Sequence, residues 1–151
     1  SLSGFDELCV HGLEDTDLCW RAKLMGRKTV VNPWSIAYHD GDNSEATGGY
    51  LEHRNSLRML IKNYGSLRAA TGSLRFVKTS IVKSFKSLLA LKPRSFFEYW
   101  RALLWNLMML PDSIRQRRRV QRRRRLNDRS VLENMHTEAD STDEQRSKPA
   151  A

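Results

Sequence analysis

The sequence predicts an α/β unit at its N-terminal end, continued by amphipathic helices and a polar tail. Three observations lead there. An acidic run opens a helical pattern over 14–25, two short segments of alternating β-branched and aromatic residues flank Pro33, and two apolar stripes at helical spacing occupy 74–88 and 96–110. A chain of 151 residues is long enough for one domain with its own core.

Taken in order, residues 1–10 read as a loop anchored by Phe5 and Leu8, in which Asp6 and Glu7 cap a turn or face a ligand. Glu14, Asp15 and Asp17 then sit where the first N–H groups of a helix are unsatisfied and partly positive. Leu18, Ala22 and Met25 give that helix an apolar face, and Gly26 ends it. Asp17 and Arg21, four apart, suffice as a surface ion pair.

Residues 27–31 and 35–39 read as two short strands about Asn32-Pro33-Trp34, with His39 at the end of the second. Residues 40–49 are polar and glycine-containing, the composition of a surface loop or a lid. Tyr50, Leu57, Ile61 and Tyr64 form a helical stripe stopped at Gly65, with Arg54 and Asn55 in its first turns. Arg54 there suits either a phosphate or an ion pair beside the core.

Leu74, Val77, Ile81, Phe85 and Leu88 make the next stripe, with Arg75, Lys78, Lys83 and Lys86 around it. After Pro93, a more apolar helix runs from Phe96 to Leu110 and is ended by Pro111. Fifteen helical residues reach only ~22 Å, short of a ~30 Å hydrocarbon core. The pair of helices therefore lies in a membrane interface, with Trp100 and Trp105 at headgroup depth, or packs on the rest of the chain.

Net charge is +9, distributed as −4 over residues 1–55, +16 over 56–132 and −3 over 133–151. Eight arginines in the eleven positions 115–125, Arg118 and Arg119 among them, surround any helix they join and read as a headgroup anchor. Nucleic acid is the weaker alternative, because no aromatic residue interleaves the arginines. Cys9 and Cys19 are too few for a disulfide framework, lack metal-ligand spacing and read as small buried hydrophobes. Residues 131–151 have the composition of a disordered tail.

The run from Gly4 to Gly41 resembles the second half of the catalytic domain of family 2 glycosyltransferases, inverting enzymes of the GT-A fold, of the rhamnosyltransferase-like kind. Its signs are Gly4-Phe5-Asp6-Glu7, Glu14-Asp15-x-Asp17-Leu18, Arg21, Gly26, Pro33 and His39, with Arg54-Asn55 opening the following helix. The resemblance covers about residues 1–64. It implies an α/β GT-A half, Asp15 as catalytic base with Glu14 as fallback, and His39 as one ligand of a divalent Mg²⁺ or Mn²⁺. It also implies acceptor or donor contacts from Asp6, Glu7, Asp17, Arg54 and Asn55.

By the same resemblance the donor is a nucleotide sugar, and the acceptor is a glycan or lipid-linked saccharide of cell-envelope polysaccharide synthesis. The enzyme then lies in the cytoplasm against the inner face of the membrane. The family's nucleotide-binding half does not precede Ser1 in this sequence, so the chain is expected to be the C-terminal part of a longer protein and inactive alone. A different class of reading makes residues 74–125 a non-enzymatic basic module for membranes or nucleic acid.

Overall fold

The computed structural model describes residues 2, 4–10, 12–30, 32, 34–36, 38 and 45–133, of which 45–48 are described by their backbone alone. Five helices follow one another: α1 (Glu14–Leu24), α2 (Glu45–Asn63), α3 (Ser66–Leu89), α4 (Pro93–Met108) and α5 (Leu110–Arg122). A further helical turn occupies 128–133. The expected tail, 131–151, begins within this turn, where Val131 is buried; its remainder from 134 onward, His39 and most of the expected 40–49 loop lie outside the described residues.

The α/β expectation is overturned: among the described residues there is no strand and no sheet. Segment 27–38 keeps its turn, with Ser35 N–H donating to Asn32 O at 3.1 Å and Trp34 N–H to Asn32 Oδ1 at 3.1 Å. Its described flanking residues show no strand pairing, and Val30, Trp34, Ile36 and Tyr38 stand in solvent. Two short extended segments are marginal without a third strand or a packed face, and the described chain offers neither. Residues 45–49 belong to α2 and not to a loop.

Helix α2 is the centre of the molecule and packs on all four other helices. Its neighbours approach closely because Ala69, Ser80 and Ser84 on α3 and Ala102 and Asn106 on α4 are small or buried polar residues. A separate apolar cluster of Trp20, Leu24, Met59, Val120 and Val131 joins α1, α2, α5 and the last turn, with Trp20 edge-on to Tyr64 at 4.6 Å. Among the described residues eleven polar or charged side chains are buried against ten apolar ones, so hydrogen bonds and ion pairs help decide how these helices dock.

Two helices end in the same motif with different residues. After α1, Arg27 N–H bonds to Ala22 O at 3.0 Å and Gly26 N–H to Lys23 O at 2.9 Å, with Gly26 at φ 73°. After α3, Lys92 N–H bonds to Ser87 O at 2.9 Å and Leu91 N–H to Leu88 O at 3.1 Å, and the left-handed position is Leu91 at φ 55°. A β-carbon in that conformation costs roughly 1–2 kcal/mol. The α4 helix then starts at Pro93, whose fixed φ suits a first turn.

Pro111 does not end a helix as expected; it lies in the first turn of α5. The arginine run is not the all-round solvated rod that its composition suggests. Arg117 donates to Ile61 O at 2.6 Å and Tyr64 O at 2.7 Å, and Gln121 Nε2 donates to the carbonyls of Lys62, Asn63 and Tyr64. Together they satisfy carbonyls that the C-terminus of α2 leaves without helical partners. No helix among the described residues is long and apolar enough to cross a membrane.

Candidate functional site

The acidic residues singled out at the N-terminal end differ in burial. Asp17 is the buried one: its Oδ2 accepts from Arg21 Nε at 2.8 Å, and its Oδ1 accepts from Asn63 Nδ2 at 2.9 Å and lies 2.9 Å from Lys62 Nζ. The surface ion pair expected of Asp17 and Arg21 is thus an interior one. Arg21 continues outward, donating to Leu2 O at 2.7 Å and Gly4 O at 2.8 Å, so α1 holds the first loop against itself.

Asp6 accepts from Arg58 Nε at 2.9 Å and Nη2 at 3.1 Å, and also pairs with Lys62. Arg58 reaches Asp112 Oδ2 at 2.7 Å and Ser113 Oγ at 2.8 Å with its remaining N–H groups. Burial pushes the Asp6 carboxyl up, but the hydrogen bonds and charges of Arg58 and Lys62 outweigh it and hold the group well below the usual carboxylate range. For Arg58, burial acts downward, and Asp6 and Asp112 reverse it to a raised value. Asp6, Asp17 and Asp112 balance Arg21, Arg58 and Lys62, one condition for charges to be tolerated inside a fold.

Arg54 and Asn55 are likewise engaged. Arg54 donates to Leu8 O at 2.9 Å and to Asn55 Oδ1 at 3.1 Å, with its guanidinium 4.3 Å from the Trp105 ring centre. Asn55 Nδ2 donates to Gly12 O at 2.8 Å and Val10 O at 3.3 Å. These two residues of α2 therefore hold Leu8, Val10 and Gly12, in the segment that delivers the chain to α1. Gly12 and Leu13 turn that segment into the helix with φ of 95° and 69°.

Glu14 and Asp15 open α1. Asp15 is exposed, and its Oδ1 accepts from its neighbour Thr16, from the backbone N–H at 2.6 Å and the hydroxyl at 3.3 Å. Glu14 is half-buried, and its Oε2 is enclosed without a partner. Glu7 is exposed and, with Asp6, Arg21, Lys62, Asp112 and Arg119, lines a cavity of about 430 Å³ between the first loop and α5. Arg118 lies exposed on α5. Trp105 is covered by Arg54, and Trp100 packs beside Phe96 with its indole N–H enclosed and unpartnered.

Among the described residues no three His, Cys, Asp or Glu side chains converge as a cation site, and His39 lies outside them. The described residues thus form no metal centre by themselves.

A second group escaped the sequence reading. His53 on α2 lies in a cleft of about 800 Å³ between α2, α3 and α4, stacked near Phe76 and edge-on to Tyr99. Burial, aided by the charge of Lys83, pushes the imidazole down to about 4. Ser80 hydroxyl donates to Phe76 O at 2.7 Å, so His53 Nε2 is the donor in its 2.6 Å bond to Ser80 Oγ. A serine nucleophile would need the reverse polarity, so this pair is structural. Only spacing along two helices unites these residues, and 27 positions separate them.

No protein-family model, curated protein or solved structure matches this chain.

Proposed function

We propose that the chain is the acceptor-side part of an inverting sugar transferase that works against the cytoplasmic face of a membrane. One observation carries the reading: three residues of the resemblance, Arg21, Arg54 and Asn55, all bond to the chain that leads into α1. Arg21 holds Gly4, Arg54 holds Leu8, and Asn55 holds Val10 and Gly12. Their joint effect is to fix the entry to α1, leaving Asp15 as a carboxylate open to solvent on a rigid helix.

In this reading Asp15 takes the proton of an acceptor hydroxyl. The oxygen attacks the anomeric carbon of a nucleotide sugar, a new C–O bond forms with inversion, and the bond to the nucleoside diphosphate breaks. Arg54 and Asn55 act as positioning residues, not as donor contacts. Asp6 and Glu7 edge the cavity next to this loop, where an acceptor glycan or the sugar of a lipid-linked acceptor would lie. A divalent ion, if the reaction uses one, draws on groups other than the described side chains.

The test is sugar transfer by the native protein carrying Asp15→Asn. General-base catalysis contributes ~10²–10⁴-fold, so turnover should fall by about that factor with nucleotide-sugar binding retained. Turnover at the wild-type rate removes Asp15 from the mechanism. A non-enzymatic basic module over 74–125 is favoured by the exposed cations of α3, and predicts no transfer to any acceptor.

A further inference from the structure

Residues 53–97 contain ten Lys and Arg and no Asp or Glu. Arg54, Arg58 and Lys62 are buried in the network above, and Arg94 bonds to Glu98 at 3.0 Å. The other six, Arg68, Arg75, Lys78, Lys83, Lys86 and Lys92, are exposed, with no ion pair among the described residues. Their number rises towards the turn between α3 and α4.

The same turn presents apolar side chains to solvent. Phe85, Leu88 and Phe97 are about half exposed or more, and Leu89 and Leu91 are 85% and 89% exposed. Leu91 holds the left-handed position that glycine would fill without strain, yet touches little of its own protein. A leucine kept where it is both strained and solvated points to something outside the described chain that covers it.

We propose that the α3–α4 turn, residues 82–97, inserts into the interface of an anionic phospholipid bilayer. Phe85, Leu88, Leu89, Leu91 and Phe97 enter the acyl boundary, while Lys83, Lys86 and Lys92 meet headgroup phosphates. Charge alone would equally suit nucleic acid or the acidic stretch 133–151, but either would leave the five apolar side chains in water. A bilayer interface takes both sets at once. The arginine run, which caps α2 through Arg117, is then secondary to the turn in anchoring. Peripheral attachment, as proposed above, is the premise; sugar transfer is not.

The experiment is co-sedimentation of the 151-residue chain with phosphatidylcholine vesicles, with and without phosphatidylglycerol. Wild-type chain should bind only the anionic vesicles, and Leu89→Ser/Leu91→Ser should bind at least about tenfold more weakly, given the apolar burial lost. Both positions are exposed, so helical circular dichroism should not change. Arg118→Ser/Arg119→Ser, on the exposed face of α5, should retain most binding. Undiminished binding by the leucine variant overturns insertion by the turn and leaves peripheral attachment standing. Absence of wild-type binding overturns both, and binding to a polynucleotide in its place would mark the surface as one for nucleic acid.

Discussion

The ammonium of Lys62 lies 2.9 Å from Asp17 Oδ1 and also pairs with Asp6, and neither carboxylate has more than a sliver of surface open to water. One cation of α2 therefore joins the first loop to the first helix. Removing one partner of a buried pair typically costs ~3–5 kcal/mol, a large part of a domain's stability. Lys62→Ala and Arg58→Ala should each lower the unfolding free energy by that order, as urea titration will read. In Asp6→Ala/Arg58→Ala the losses should be strongly non-additive, as a double-mutant cycle will read.

Acid should weaken the fold in two windows. His53 has a folded value near 4, below its unfolded one of ~6.5, so the unfolded chain binds more protons between these and stability falls as pH drops through that range. Asp6, held low, contributes stability that is full above the unfolded carboxylate value of ~3.9 and is lost below it. Urea midpoints across pH 7 to 3 should slope in both windows; His53→Gln should flatten the upper and Asp6→Asn the lower.

Within the arginine run, position should matter more than charge. Arg117→Met removes the donor to two α2 carbonyls and should destabilise by ~1–3 kcal/mol, while Arg118→Met should stay within ~0.5 kcal/mol. Thermal melts of the two variants separate them. Equal melting points would show that Arg117 does not cap α2 in solution.

The two cysteines should react unequally. Cys9 is buried and burial pushes its thiol up to about 11, whereas Cys19 is partly open. Iodoacetamide at neutral pH should label Cys19 in the native chain and reach Cys9 only after denaturation, as peptide mass mapping will show.

Local signals were legible and long-range ones were not. The acidic start and Gly26 place α1 almost to the residue, because caps and stops act within one turn. The strands at 27–39 were a sound local reading that the described chain does not fulfil, since a strand needs a neighbour that no local pattern supplies. Pro111 was read as a stop although proline equally begins helices. Asp6, Asp17, Arg54 and Asn55 were visible as residues of interest. Their engagement by Arg58, Lys62 and the carbonyls of 8–12 was not, because partners 43 to 56 positions away leave no trace in spacing. The inward face of α5, Ser113, Arg117, Val120 and Gln121, has helical periodicity but too little hydropathy to stand out beneath eight arginines.

Arg58 is synthesised 54 residues before Asp112, its last charged partner. A growing polypeptide that has made α2, α3 and α4 still lacks the anion and the serine that complete this arginine's bonding. The order of synthesis thereby withholds the finished bonding of Arg58 until α5 has begun, and any product ending before residue 112 leaves this interior cation with Asp6 but without Asp112 and Ser113 as acceptors.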